Sequence, residues 1–163
     1  MSIASIGRSS IFRTAIQNSV DAGVVMVAAA GNDSNDIYGA DGFFNTFDDV
    51  LPAAYPEVVA VSAFADSDGQ PGGFAGCTGS GADDSFADFS NFSASVTGSN
   101  PVDSPGAAID LLMPGVRIRS TYLNGQYALL SGTSMASPHA AGLAALYIAE
   151  NGRASDANGV YAI

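Results

Sequence analysis

The stretch Gly132-Thr133-Ser134-Met135-Ala136-Ser137-Pro138-His139 follows a run of β-prone residues and opens a segment rich in small and apolar side chains. From this point apolar residues recur with the spacing of a helix buried over most of its surface, and Asn151-Gly152 provides a stop signal. Ser134 therefore falls in the first helical turn, where backbone N–H groups lack intrahelical partners and the helix dipole favours negative charge. Gly132 lets another backbone approach this turn closely. The sequence thus predicts one serine hydroxyl beside a helix end that stabilises an anion.

The preceding segments alternate between helical and strand patterns. Residues 10–22 carry apolar side chains at helical spacing, and residues 24–30 form a nearly continuous apolar run. Strands are also expected at residues 1–4, 58–65 and 108–113. A strand, a helix and an apolar strand in this order indicate a βαβ crossover, whose parallel sheet is buried on both faces. The expected fold class is α/β, with a parallel sheet flanked by helices.

Polar and glycine-rich segments separate these elements. Residues 33–49 are interpreted as a surface loop, residues 66–85 as a long connection and residues 94–106 as a second polar segment. In the alternating run of residues 117–130, Asn124-Gly125 is a strong hairpin signal. A β-hairpin is therefore expected directly before the serine-bearing helix.

Composition excludes several classes of protein. A length of 163 residues with 47% apolar composition is enough for one domain with a hydrophobic core. Sixteen acidic residues against five basic ones give a net charge of −11, which argues against nucleic acid as a partner. No apolar run of about 18 residues and no signal-peptide pattern occur, so no membrane partner is expected. Cys77 is the only cysteine and is interpreted as incidental, because no His or Cys lies near it in sequence.

The stretch around Ser134 closely resembles the active-serine signature of the subtilisin-like serine proteases, the subtilases. Three further strings resemble subtilase segments in the family's order: VVMVAAAGN at residues 24–32, YPEVVAV at residues 55–61 and MPGV at residues 113–116. The resemblance covers residues 1–163 and corresponds to the second half of a subtilase catalytic domain. It implies a subtilisin-like α/β domain from a serine endopeptidase that cleaves proteins or peptides, with an extracellular or secreted location.

The resemblance also implies roles for individual residues. Ser134 corresponds to the nucleophile, and Asn32 to the side-chain amide that donates to the oxyanion together with the Ser134 backbone N–H. The Thr133 hydroxyl corresponds to a supporting group near the substrate. An amide suits this role because it donates a hydrogen bond without a charge that must be desolvated.

The main specificity pocket of the family is matched by two short segments. One wall corresponds to Ala29, Ala30 and Gly31, and the opposing strand corresponds to Ser2, Ile3 and Ala4. Pocket walls made of small residues admit large apolar side chains of the substrate. Val50 falls near the pocket floor and would restrict the size of the substrate side chain that fits.

The general base is not evident in this chain. His139 is the only histidine and follows Ser134 by five positions, which on a helix places it about 140° away and about 7.5 Å along the axis. A base must lie within about 2.6 to 3.2 Å of the hydroxyl, so His139 is predicted to be structural. In subtilases the Asp and His motifs precede the serine, so the missing N-terminal half of the domain is expected as a partner and the chain alone is expected to be inactive.

Two other interpretations compete with the endopeptidase. An α/β-hydrolase esterase requires Asp and His after the nucleophile, and no histidine follows His139. A non-catalytic or degenerate peptidase-like module that docks on a complementary chain remains the alternative.

No cofactor is required for the expected chemistry. The resemblance implies a weak calcium or monovalent-cation site formed by the carbonyls of Ala53, Tyr55 and Val58 and the carboxylate of Asp110, since oxygen ligands suit hard cations. Residues 66–69, Asp-Ser-Asp-Gly, look like the start of a calcium loop. Cys77 stands where the bidentate acid of such a loop is expected, so a surface turn is the preferred interpretation.

Overall fold

The computed structural model describes residues 1–72, 76 and 79–163; Cys77 lies outside the described residues. In chain order the elements are β1 (Ser5–Ile6), α1 (Ser10–Asp21), β2 (Val27–Ala29), β3 (Val50–Leu51), β4 (Val59–Ala65), β5 (Ser85–Phe86), β6 (Leu111–Pro114), β7 (Ile118–Tyr122), β8 (Gln126–Leu130), α2 (Thr133–Asn151) and α3 (Ala157–Tyr161). None of the described helices has the length and apolarity needed to cross a membrane.

A four-stranded sheet centred on β4 forms the framework of the described chain. β4 pairs in parallel with β2 on one side and with β6 on the other, and the two-residue β5 pairs with its end in antiparallel orientation. Alternate residues of β2 face opposite cores: Val27 packs with Ala136 and Ala140 of α2, whereas Ala28 packs with residues of α1. The sheet therefore lies between the two long helices, as the βαβ pattern predicts.

Local hydrogen bonds set the element ends. Ser9 caps α1, because its side chain accepts the Phe12 N–H at 3.2 Å, and the helix ends one residue before the predicted boundary. β2 begins at Val27 and not at residue 24, since the Val24 N–H still donates to the Ser19 carbonyl of α1. β6 begins three residues later than predicted because the chain is still turning there, with the Ile109 N–H donating to the Gly106 carbonyl.

Of residues 1–4, expected to be the end of a strand, only Met1 makes strand-like hydrogen bonds. The first strand of the described chain is β1, at residues 5–6, which pairs antiparallel with β3. Met1 instead lies beside β2, where its carbonyl accepts the Ala29 N–H at 3.0 Å and its amino group donates to the Val27 carbonyl. Residues 2–4 therefore cross from the edge of the central sheet to the small β1–β3 sheet.

The segment interpreted as a surface loop, residues 33–49, contributes to the core. Ile37 and Tyr38 are 0% and 1% exposed, and Asp49 is 0% exposed. The carboxylate of Asp36 holds the segment against a distant one, since it accepts the Ala94 N–H at 3.0 Å and both polar groups of Ser95. The segment is a loop as predicted, but the prediction that it lies on the surface is wrong for Ile37, Tyr38 and Asp49, which are buried.

Helix α2 is not buried over most of its surface. Its buried residues are confined to the first two turns and are all small: Thr133, Ala136, Ser137 and Ala140. The larger side chains Leu143, Leu146 and Tyr147 are 53%, 70% and 42% exposed. Only the small residues of α2 are buried against the sheet. The larger apolar side chains that led to the prediction of a buried helix are left uncovered by the described residues.

Strands β7 and β8 pair antiparallel immediately before α2, from Ile118 opposite Leu130 to Tyr122 opposite Gln126. The chain reverses at Asn124 and Gly125, which both have positive φ, 57° and 71°. The returning strand leads directly to Gly132.

Candidate active site

The N-terminus of α2 is capped by a side chain from a distant loop. Gly132, in the capping position, has a φ of +152°, which L side chains rarely adopt, and it has no side chain with which to cap the helix. Asn32 caps the helix in its place, because its Oδ1 accepts the Thr133 backbone N–H at 2.8 Å and the Thr133 hydroxyl at 3.0 Å. The loop after β2 and the first turn of α2 are thereby joined at one point.

The two acceptor bonds orient the Asn32 amide. Because Oδ1 faces the Thr133 donors, Nδ2 lies toward Gly132, where an added Cβ would stand 3.4 Å from it. Among the described residues none accepts a hydrogen bond from Nδ2, and the Asn32 side chain is exposed. The amide hydrogens are therefore available to an oxygen placed at the mouth of the helix.

The buried hydroxyl of Thr133 stabilises this arrangement. Thr133 is 1% exposed, and its Oγ1 accepts the Gly31 N–H at 3.1 Å while donating to Asn32 Oδ1. The hydroxyl thus acts on Asn32 and remains buried.

Ser134 lies in the first turn of α2, half-buried, next to the N-terminal segment of the chain. Its Oγ–H donates to the Ser2 carbonyl at 3.4 Å, while the Ser2 hydroxyl donates to the Ser134 carbonyl at 3.1 Å and lies 3.1 Å from Ser137 Oγ. A carbonyl oxygen cannot remove a proton from the hydroxyl. The contacts to Ser134 within the described chain therefore hold it but do not activate it.

His139 lies on the same helix and is engaged elsewhere. Its Nδ1 is 2.8 Å from the Met135 carbonyl, one turn back, which assigns the proton to Nδ1. Within the described chain, the exposed imidazole thus stabilises its own helix and makes no hydrogen bond to Ser134 Oγ.

The two segments matched to the specificity pocket both bond to this helix end, Gly31 to Thr133 and Ser2 to Ser134. Ala29, Ala30 and Gly31 are buried and lead directly into Asn32. Ser2 contacts the serine helix, whereas Ile3 and Ala4 are exposed. Val50 is 5% exposed and lies against Gly31, since a Cβ on Gly31 would stand 3.5 Å from its Cγ1.

Sequence reasoning missed Asn91, which is 0% exposed and is bonded to the loop that carries Asn32. Its side chain makes hydrogen bonds to Ala30, Asp33 and Asn35. Asn91 lies between the connections at residues 66–85 and 94–106, where no local signal distinguishes it from a surface asparagine.

Comparison with known proteins places this site in a family. A family model described as the subtilase family, peptidase S8, matches residues 1–160. The chain belongs to the subtilase family. It is 37% identical over 156 residues to a subtilisin from Bacillus sp. (strain TA39) and 35% identical over 150 residues to subtilisin DY from Bacillus licheniformis.

The match covers most of this chain but only part of each relative. The alignments span 96% and 92% of this subtilase chain and 32% and 42% of those two subtilisins. The crystal structure of a cold adapted subtilisin-like serine proteinase superimposes with a TM-score of 0.67 and 31% identity, covering 98% of this chain and 44% of that one. The shared architecture is thus the subtilisin-like α/β fold.

The four residues matched to a cation site of the subtilases line one cavity of about 100 Å³: Ala53, Tyr55, Val58 and Asp110. Asp110 Oδ2 accepts the Ala60 N–H at 2.7 Å, and partial desolvation raises the pKa of its carboxyl. Asp110 is exposed overall, and among the described residues that line the cavity none is basic. The Tyr55 carbonyl already accepts the Val58 N–H at 3.2 Å, and carboxylate and carbonyl oxygens are the ligand types that suit a hard cation.

A separate acidic group occurs around residues 66–69. Asp66 Oδ1 accepts the backbone N–H groups of Asp68 and Gly69 at 3.1 and 2.6 Å, which makes the segment a turn. The carboxylates of Asp66, Asp68 and Asp83 come within 4.8 Å of one another. The sequence pattern does not include Asp83, because it lies far along the connection.

Proposed function

We propose that this chain provides the nucleophile and the oxyanion hole of a serine-type endopeptidase that hydrolyses peptide bonds in protein or peptide substrates. The observation that supports it is the fixed amide of Asn32. Its Oδ1 is held by Thr133, and its Nδ2 and the Ser134 backbone nitrogen lie 3.4 and 3.7 Å from one point, the position that a Cβ on Gly132 would take.

The proposed chemistry follows from this geometry. Ser134 Oγ attacks the substrate carbonyl carbon, and the carbonyl oxygen becomes an oxyanion that accepts hydrogen bonds from Ser134 N–H and Asn32 Nδ2. Both donors are oriented before the substrate arrives, and the N-terminal end of the helix dipole adds to the stabilisation. In subtilisin, a member of the same family, loss of the asparagine donor lowers turnover by about 10² to 10³.

The base that activates Ser134 is proposed to come from polypeptide outside residues 1–163, namely the N-terminal half of the catalytic domain. Two observations support this. The relatives are two to three times longer than the matched region, and Ser134 Oγ is bonded only to the Ser2 carbonyl among the described residues. On this proposal the chain by itself does not hydrolyse peptides.

An apolar groove of about 420 Å³ fits the docking of a further polypeptide segment, with or without catalysis. It runs between the sheet and the exposed side of α2, and its lining includes Val27, Leu111, Leu143, Leu146 and Tyr147. Polypeptide seated there would remove these side chains from water, at roughly 25 cal/mol per Å² of apolar surface. The groove equally fits the alternative function, a non-catalytic peptidase-like module docked on a complementary chain, which would bind without hydrolysis.

Covalent labelling separates the two functions. A fluorophosphonate probe on the protein with its complementary half should modify Ser134, and Ser134→Ala should abolish both labelling and casein cleavage. Ser137→Ala is the matched control, since Ser137 is a buried hydroxyl one turn away. An active preparation labelled at another residue would contradict the assignment, and binding without labelling would favour the docking module. Casein cleavage by residues 1–163 alone, lost in Ser134→Ala, would refute the proposed need for an outside base.

The cation site is proposed for Ca²⁺ or a monovalent cation held by Asp110 and the carbonyls of Ala53, Tyr55 and Val58. The ion would neutralise the carboxylate and stabilise the fold without entering the chemistry. Addition of Ca²⁺ or K⁺ should raise the Tm of the wild type but not of Asp110→Asn. Asp103→Asn, which changes an exposed carboxylate, should keep the response. Equal responses in both variants would exclude the site.

An extracellular location is proposed on family membership alone. Detection of the protein in culture supernatant and not in cell extract is the expected result.

A further inference from the structure

Asn91 bonds to both sides of the turn that carries Asn32. Its Nδ2 donates to the Ala30 carbonyl at 2.9 Å, before Asn32, and its Oδ1 accepts the Asp33 and Asn35 N–H groups at 2.9 and 3.1 Å, after Asn32. One amide therefore satisfies three backbone groups of an exposed turn. The side chain is 0% exposed, so water cannot replace these bonds.

Gly31 makes this close approach possible. A Cβ on Gly31 would stand 2.4 Å from Asn91 Nδ2, and the Asn91 backbone N–H donates to the Gly31 carbonyl at 3.0 Å. The turn and the Asn91 amide are thus in direct contact, with no side chain between them.

Asn91 is itself fixed to the central sheet. Its carbonyl accepts the Ser62 hydroxyl at 2.7 Å and the Ser90 hydroxyl at 3.2 Å, and Ser90 Oγ also accepts the Ala63 N–H at 3.0 Å. Ser62 and Ala63 belong to β4, the central strand. A continuous set of buried hydrogen bonds therefore runs from β4 through Asn91 to the turn.

We propose that Asn91 is a positioning residue that sets the place of the Asn32 amide relative to the Ser134 helix, and this rests on the proposed oxyanion role of Asn32. Asn32 reaches Thr133 only through its side chain, so its turn needs a rigid support on the opposite side. Asn91 provides that support. A displacement of about 1 Å in such a group can cost about 10²-fold in rate.

Amide hydrogen exchange on residues 1–163 tests the positioning without any catalysis. Asn91→Leu keeps the side-chain size but removes all three side-chain bonds to the turn. The Thr133 amide, whose acceptor is Asn32 Oδ1, should exchange at least about tenfold faster. The Val59 amide, bonded at 2.7 Å to the Met26 carbonyl away from the turn, should not change.

Asn100→Leu is the matched control. The Asn100 side chain braces another turn in the same way, since it accepts the Phe44 N–H at 2.8 Å and donates to the Gly42 carbonyl at 2.9 Å. Asn100→Leu should leave the hydrogen-exchange rate of the Thr133 amide unchanged. If Asn91→Leu does not fold, Asn91→Asp takes its place, because it keeps the two acceptor bonds and replaces the donor to Ala30 by a carboxylate oxygen that the Ala30 carbonyl repels. Unchanged Thr133 exchange, or equal acceleration at Thr133 and Val59, overturns the positioning role.

Kinetics on the protein with its complementary half supply the second readout. Asn91→Leu should lower kcat by about 10- to 10²-fold with KM within about twofold. In an Asn32→Ala background it should have no further effect, because it acts through Asn32. A multiplicative loss in the double variant would overturn the proposal. Absence of activity in the wild type would contradict the proposed function, while the exchange result would still decide whether Asn91 positions Asn32.

Discussion

Replacement of Gly31 by alanine tests the packing beneath the site. Gly31 has φ +106°, a conformation that L side chains rarely adopt. A Cβ there would stand 2.4 Å from Asn91 Nδ2 and 3.2 Å from Asn91 Cγ. Asn91 cannot turn aside, because its side chain is buried and bonded to Ala30, Asp33 and Asn35.

The magnitude follows from two contributions. Backbone strain at a positive φ costs about 1 to 3 kcal/mol. Overpacking of the buried contact, with loss of the Asn91 bond to Ala30, costs about another 1 to 3 kcal/mol. We expect Gly31→Ala to lower the free energy of unfolding by about 3 to 5 kcal/mol, a large part of the roughly 5 to 15 kcal/mol typical of a domain.

Urea unfolding of residues 1–163 measures this loss of stability. Gly125→Ala serves as the control for backbone strain without overpacking. Gly125 also has positive φ, 71°, but no atom of the described chain lies within 4 Å of the position of its Cβ. Its replacement should therefore cost only the conformational part, about 1 to 2 kcal/mol. Equal losses in the two variants would refute the argument that Gly31 is required by its contact with Asn91.

Two further predictions concern buried groups. Thr133→Val removes the hydroxyl that joins Gly31 to Asn32 and should lower the free energy of unfolding by about 2 to 3 kcal/mol, whereas Thr133→Ser should stay near wild type; equal losses in both would contradict this. Burial raises the pKa of Asp49 from 3.8 to about 6, so between these values the folded state holds a proton that the unfolded chain releases. The stabilisation from this bound proton is complete below pH 3.8 and is lost as pH rises through about 6. In urea unfolding, Asp49→Asn should therefore be more stable than the wild type at about pH 7 but not at about pH 3.5. A stability difference independent of pH would contradict it.

Local signals predicted the helices better than the strands. The apolar spacing predicts the start of α1 at residue 10, and α2 ends at Asn151 as its stop signal indicates. The predicted strands were too long at their starts, because short helix-end and turn hydrogen bonds precede β2 and β6 and leave no trace in apolar patterning.

Proximity between distant segments could not be predicted from local pattern. Ser134 and Asn32 were singled out through the family resemblance, since a Gly-Asn after a strand is by itself typical of a turn. The burial of Tyr38 depends on bonds from Asp36 to residues 94–95, which nothing in residues 33–49 indicates. The role of Asn91 cannot be predicted for the same reason, because three of its hydrogen-bond partners lie about 60 positions upstream.

The cap on α2 has a consequence for the newly made protein. Asn32 and Thr133 are 101 positions apart in sequence, and among the described residues no nearer side chain caps the helix. Ribosomal synthesis therefore delivers the amide long before the residue that orients it, and the pair meets only when the sheet has closed between them. A polypeptide that is still emerging, or one that has unfolded, therefore lacks both the cap on α2 and the fixed orientation of the Asn32 amide.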